Sequence, residues 1–346
     1  MRWSKVNVEA ITYELPGEIV TSAELDARLS PIHEALKIAP GQLEALTGIR
    51  ERRQWPPGTS MASVAARAGQ RALERAGVSP DDLGAVIYAG VCRDNLEPAT
   101  ACAVAAALGT GPEAQVFDVS NACLGVMNGM VELANRIELG QLRAGLVVSA
   151  ESSREIVDAT IERMNREPTI ERYRLGLATM TGGSGATAVL LTAADFSANE
   201  HRLVAGVALS APAHHRICRW GPSAGLLGER ANVMETDASQ VLEHGVELGR
   251  ATWDRLLSTS GWRREEVDRV ICHQVGAANR RDILSTIGVP ESKDFSTFAR
   301  LGNMGTVSLP TTAAMADEAG FLHAGQRIAL LGIGSGLNCL MLGVQW

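Results

Sequence analysis

Apolar positions along the chain fall into two kinds of run. Residues 5–13 read as an opening strand, and short apolar runs at Leu83–Ala89, Gly145–Ser149, Thr187–Leu191, Ile328–Leu331 and Leu340–Val344 have the length of buried strands. Between them, apolar residues recur three and four apart. Val64, Ala65, Ala68, Ala72 and Leu73 predict a helix over Ser60–Ala76, and Leu124, Met127, Val131 and Ala134 predict another. An acidic helix near 22–29, a polar, charge-rich helical stretch over Ser152–Arg174 and a helix from about Pro310 complete the set. Ser79-Pro80-Asp81-Asp82, a capping residue followed by proline, leads into the strand at Leu83. Strands alternating with helices imply an α/β fold with parallel-rich sheets.

The pattern occurs twice. Asp81–Tyr88 resembles Glu265–Cys272 at an offset of 184 residues, and Gly140-Gln141 resembles Gly325-Gln326 at 185. Two matches at nearly one offset predict a duplicated fold; a period this long excludes a solenoid. The expected halves are 1–192 and 193–346, the first carrying a helical insertion near 152–180. That insertion and the irregular stretch Ala211–Asn232 are long connections of the kind that cover sites.

Chemistry concentrates at strand ends. Phe117-Asp118-Val119-Ser120-Asn121-Ala122-Cys123-Leu124-Gly125 places Cys123 at a strand-to-helix turn, where unpaired N–H groups and the helix dipole favour thiolate. A buried structural cysteine is the alternative. His273 ends a buried strand, and Asn303 sits in the glycine-flanked loop Leu301–Gly305. The terminal Gly332-Ile333-Gly334-Ser335-Gly336 turn leads into a strand rather than a helix, so it is no dinucleotide loop. Its bare backbone suits a close approach to Cys123. Arg50, Arg52 and Arg53 form a loop cluster, read either as a solvated patch or as a phosphate clamp.

Composition narrows the class. Apolar residues make up 46%, charged residues 21% and aromatics only 4%, which fits a globular core of close-packed aliphatic layers. A formal charge of −7 disfavours nucleic acid as a partner. The six cysteines show no CxxC spacing and no HExxH occurs, so a metal site has little support. With no run of membrane-spanning length and no signal-peptide core, a cytoplasmic protein with reduced thiols is expected.

Five stretches, taken in order, resemble the thiolase superfamily and most closely its ketoacyl-ACP synthase III branch. They are TGIRERR (47–53), FDVSNAC (117–123), HQV (273–275), LGNMGTVSLP (301–310) and GIGSGLN (332–338). RDNLEP (93–98), NACLG (121–125), Glu162-Arg163-Met164 and LLGIGSGLNC (330–339) are similar to the OleA group of that branch, whose members join two fatty acyl-CoA molecules head to head. The resemblance implies a thiolase fold with layered αβαβα architecture, CoA thioester substrates and no further cofactor.

The resemblance also implies roles. Cys123 would accept an acyl chain, with an oxyanion hole formed by the N–H groups of Cys123 and Ser335, Gly334 and Gly336 being its neighbours. His273 and Asn303 would stabilise the enolate of the second substrate, and Glu97 would remove its α-proton, reaching the site from the other subunit of a dimer. Pairing with itself or with a paralogue is left open. Pocket walls are expected from 152–180 and 204–235, with Met164, Met180 and Met234 adapting to flexible chains. Where carrier-protein-dependent relatives have a docking arginine this chain has Ala278, so Arg280 or Arg281 would have to substitute. Two other readings stand beside condensation of acyl-CoA: a malonyl-using synthase or acyltransferase on the same scaffold, and a non-catalytic partner subunit. The intact set Cys123, His273 and Asn303 argues against the last.

Overall fold

The structure, a computed structural model, describes residues 1–222 and 232–346. The chain opens with β1 (Val6–Glu14), β2 (Glu18–Thr21), three short helices α1 (Ser22–Arg28), α2 (Ser30–Leu36) and α3 (Gln42–Thr47), and β3 (Glu51–Gln54). Then come α4 (Met61–Ala76), β4 (Leu83–Ala89), α5 (Thr100–Leu108), β5 (Gln115–Val119), α6 (Gly125–Glu138), β6 (Ala144–Glu151), α7 (Arg154–Arg166), α8 (Ile170–Gly176) and β7 (Gly185–Ala193). The remainder comprises β8 (Arg202–Ser210), β9 (Cys218–Pro222), β10 (Asn232–Thr236), α9 (Ala238–Ser260), β11 (Arg269–Cys272), α10 (Ala277–Ile287), α11 (Phe298–Leu301), α12 (Ser308–Glu318), β12 (Arg327–Gly334) and β13 (Asn338–Gln345).

Nine strands form one sheet in the order β11-β12-β13-β8-β1-β7-β6-β4-β5. Its middle is a seam, because β1 meets β8 at the single register pair Asn7–Arg202. On either side of the seam the arrangement is the same. β4 runs parallel to β6, which is antiparallel to β7, which is antiparallel to β1. β11, β12, β13 and β8 repeat those three relations. Both offset matches therefore land on equivalent strands, β4 with β11 and β6 with β12. The fifth strand of the first half, β5, has only a trace in the second, a parallel bridge between Val270 and Asp294.

Five layers result. α4 and α5 cover one face of the first half-sheet through Val64, Ala65, Ala68, Val104 and their neighbours. α9 and α10 cover the outer face of the second through Trp253, Leu256, Leu284 and Ile287. Between the half-sheets lie α6 and α12, contributing Met127, Met130, Leu133, Leu309 and Ala313 to a core shared by both halves. α6 lies flat on the first half-sheet because a Cβ on Gly129 would stand 2.7 Å from Val147 Cγ1. Every position of β6 is buried, which is why that strand reads as an unbroken apolar run.

The structure corrects two expectations. The 46–53 stretch reads as a loop, but 51–54 form β3, hydrogen-bonded to β2, so its side chains alternate between inside and outside. The irregular stretch Ala211–Asn232 contains β9, which pairs antiparallel with β10 beginning at Asn232, the connection at 223–231 lying outside the described residues. The insertion near 152–180 is helical as expected: α7 and α8 pack over α1 and α2 through Val157, Ile161, Met164 and Tyr173.

Candidate active site

Cys123 lies in a single 3-10 turn, Ala122–Leu124, between the end of β5 and the first turn of α6. Ala122 takes the left-handed conformation at φ 44°, a strained turn for a residue with a Cβ. The first turn of α6 is partly capped from the other half of the chain, since Val126 N–H donates to Thr306 Oγ1 at 2.7 Å. The expected thiolate is not what this environment favours. Burial pushes the Cys123 thiol up to about 12, with Cys218 and then Glu151 adding to the rise. Desolvation outweighs the helix terminus, so Cys123 rests as a thiol.

His273 follows β11, its own N–H held by Leu331 O at 2.9 Å. Burial lowers its pKa to about 4, so the imidazole is neutral at physiological pH. Its Nδ1 is buried without a protein partner. The adjoining Gln274 is structural. Its Oε1 accepts the N–H groups of Thr297 and Phe298, at 2.9 and 3.1 Å, fixing the start of α11. Asn303 is held by backbone bonds to Thr181 O and from Gly183 N–H, at 2.8 and 2.9 Å. Its Oδ1 accepts the Gly305 N–H at 3.0 Å, which leaves the amide nitrogen to donate.

The glycine-rich turn between β12 and β13 does approach the nucleophile. A Cβ on Gly334 would lie 3.5 Å from the Cys123 nitrogen and 3.2 Å from Leu124 Cγ. Two cavities meet here. One, ≈ 360 Å³, is lined by Cys123, His273, Asn303 and Ser335 together with Val241, Leu242, Val275 and Ala278. The other, ≈ 350 Å³, is lined by Cys123, Asn303 and Ser335 with Ile156, Trp220 and Met304. Met234 and Cys218 line both. A larger cavity of ≈ 430 Å³, between α7, α8 and β10, touches none of the catalytic candidates. Of the three methionines expected in pocket walls, Met234 lines the site, Met164 lines only this remote cavity, and Met180 is core.

Other candidates are placed elsewhere. Glu97 is exposed on the loop 90–99 and lines neither cavity of its own chain; its neighbour Leu96 is 92% exposed. Arg52 is 1% exposed and donates to Ser22 Oγ and Met180 O, both at 3.1 Å, so it cannot clamp a phosphate. Strand alternation turns it inward. Arg53 is half-buried and donates to Pro16 O at 3.3 Å, while Arg50 is exposed. Neither lines the site cavities. Arg280 is engaged by Asp294 and Glu291, at 2.6 and 2.7 Å, and so is not free to dock a carrier protein. Arg281 is exposed.

Two residues of the site escaped the sequence reading. Glu151, fully enclosed at the end of β6, lines the second cavity, and its carboxylate accepts Val91 and Cys92 N–H at 2.9 and 3.1 Å. A carboxylate closing an otherwise apolar buried strand is the same signal that marked His273, and could have found it. Cys218, on β9, carried no such signal. Among the described residues no group of three His, Cys, Asp or Glu could hold a metal, and no helix is long and apolar enough to cross a membrane.

The thiolase N-terminal domain family matches residues 47–186, and the C-terminal domain family of 3-oxoacyl-[acyl-carrier-protein] synthase III matches 257–346. The chain is 50% identical over 349 residues to an acyl-CoA:acyl-CoA alkyltransferase of Shewanella oneidensis, covering 100% of both. It is 34% identical over 347 residues to the Xanthomonas campestris protein of the same name, again covering 100% of both. Among solved structures, a cysteine-to-serine variant of Xanthomonas campestris OleA with bound lauric acid and lauroyl-CoA superposes with a TM-score of 0.93. That match has 34% identity and covers 99% of this chain and 100% of that one. With this identity along its whole length, a thiolase fold and a cysteine at the strand-to-helix turn, the chain belongs to the OleA-type acyl-CoA:acyl-CoA alkyltransferases of the thiolase superfamily.

Proposed function

We propose that this protein joins two fatty acyl-CoA molecules head to head, without decarboxylation, to give a 2-alkyl-3-ketoacyl product. The observation that carries this reading is the meeting of two largely apolar cavities at Cys123, one for each acyl chain. The Cys123 sulfur attacks the first thioester carbonyl as the thiol proton leaves, and that proton ends on the departing CoA. The carbonyl oxygen gathers charge against the N–H groups of Cys123 and Ser335, and CoA leaves with a proton. In the second step an α-proton is removed from another acyl-CoA, whose enolate oxygen is held by His273 and Asn303. The carbanion attacks the acyl carbon and Cys123 departs. The reaction needs no cofactor beyond its CoA thioesters.

The base for the second step is Glu97 of a second copy of the chain. β5 is the outermost strand of the sheet, and the loop that carries Leu96 and Glu97 precedes the helix leading to it; both features suit a dimer interface. A homodimer is the simplest form, a pairing with a paralogue the alternative. Arg50, the exposed member of its cluster, is the candidate for a CoA phosphate, and six free cysteines suit a reducing cytoplasm. One observation favours the malonyl-using alternative: within a single chain no carboxylate except Glu151 lines either cavity among the described residues, and both Glu151 oxygens are occupied.

Complementation separates the two. Cys123→Ala and Glu97→Gln homodimers should each fail to condense lauroyl-CoA, while mixed dimers formed by co-expression should regain part of the activity. Mixed dimers as inactive as the parents would remove Glu97 of a second copy from the mechanism.

A further inference from the structure

The two proposed oxyanion donors belong to different halves of the chain. Cys123 stands at the head of α6, in the first half, and Ser335 in the turn between β12 and β13, in the second. Two N–H groups stabilise one oxygen only if both lie within hydrogen-bond reach of the same point, and slack of about 1 Å is enough to lose much of the effect. Something must hold the two turns in register.

We infer that Asn338 is the positioning residue that does so. Its amide nitrogen donates to Asn121 Oδ1 at 3.3 Å and to Ser335 O at 3.2 Å. One acceptor lies two residues before the nucleophile, and the other is the carbonyl of the oxyanion residue itself. An amide nitrogen has two hydrogens, so both are spent on joining the two turns. The chain of amides continues into α6, where Asn121 Nδ2 donates to Asn128 Oδ1 at 2.8 Å. Asn121 is thereby fixed from both ends.

The backbone is shaped around this amide. Gly336 has φ 134°, and a Cβ there would lie 2.4 Å from Asn338 Nδ2. With Gly334 bare against the Cys123 nitrogen, the two glycines serve different ends. Gly334 lets the turn approach the nucleophile, and Gly336 makes room for the side chain that keeps it there. The far side of the turn is fixed by a backbone pair with Ala211, whose N–H donates to Leu337 O at 2.8 Å. Asn338 is thus the side chain that ties the turn to the nucleophile's own loop.

The inference rests on the acyl-transfer reading and is tested apart from it by comparing two reactions of Cys123. Acylation by lauroyl-CoA passes through an oxyanion; alkylation by iodoacetamide does not. Asn338→Ala should lower the maximal acylation rate by about tenfold or more, with KM and the alkylation rate each within about twofold of wild type. Asn338→Asp, which sets a carboxylate against two acceptor oxygens, should lose more. Asn121→Ala attacks the bridge from the other half and should give the same split, so the test does not depend on one variant folding. Unchanged acylation in Asn338→Ala and Asn121→Ala overturns the inference, as does alkylation that falls in step with acylation, since that marks a general disturbance of the nucleophile turn. Wild type that is never acylated overturns the acyl-transfer reading itself, and this inference with it.

Discussion

Asn303 Oδ1 accepts the Gly305 N–H at 3.0 Å, and Gly305 takes φ 57° to present it. The bond uses the amide oxygen, so the end that Asn303 has left is a donor, which is what the proposed enolate contact needs. Asn303→Ala should leave acylation of Cys123 by lauroyl-CoA within about twofold and slow condensation on the order of 100-fold. Single-turnover mass spectrometry separates the steps; equal loss in both would deny Asn303 an enolate-specific role.

Glu151 sets part of the electrostatics at the nucleophile. Its negative charge is one cause of the raised Cys123 pKa, behind burial and Cys218. Removing a nearby negative charge lowers a thiol pKa and increases thiolate at any fixed pH below it. Glu151→Gln should therefore shift the pH profile of Cys123 alkylation to lower pH. A profile that stays in place, in protein that melts as wild type does, would deny Glu151 that influence.

His273 gives a stability signature. Burial lowers its pKa from 6.5 to about 4, so between those values the unfolded chain binds a proton that the native chain refuses. The unfolded state then holds more protons, and stability falls as pH drops through that window. His273→Asn should flatten the slope of Tm between about pH 4 and 6.5 relative to wild type. An identical slope in both proteins would mean that His273 is not held neutral by the fold.

The arginine cluster divides by depth. Arg52→Ala removes the donor to Ser22 Oγ and Met180 O and should cost on the order of 2 kcal/mol of stability, read as a lower Tm. Arg50→Ala should leave Tm unchanged and weaken CoA binding more at low salt than at high salt. Calorimetry with CoA that shows no change would return Arg50 to the solvated surface.

Much of this was legible in the sequence, and what was not has physical reasons. Cys123, His273, Asn303 and Ser335 each stand at the end of a strand or in a glycine-flanked turn, and such turns are written locally. The duplication was visible because β4 and β11 are buried strands entered by the same acidic turn. Arg52 misled because three arginines in four positions look alike in one dimension, while β3 turns one of them into the core. The Cys123 pKa could not be read because dipole and burial act in opposite directions, and only the packed structure weighs them. Glu97 stayed unplaced because its loop is exposed and lines neither cavity of its own chain. Asn338 and Asn121 lie 217 residues apart, and the bond between them exists only once the halves have docked.

The most direct measurement offers the enzyme one substrate alone. Wild-type protein incubated with lauroyl-CoA as the sole thioester, with no malonyl thioester present, should show a lauroyl adduct on Cys123 by intact mass. Product analysis should find free CoA and the 2-alkyl-3-ketoacyl condensation product of two lauroyl groups. Cys123→Ala should give neither adduct nor product. Condensation that appears only when malonyl-CoA is added, with loss of carbon dioxide, would contradict the head-to-head reaction and assign the same scaffold to decarboxylative synthesis.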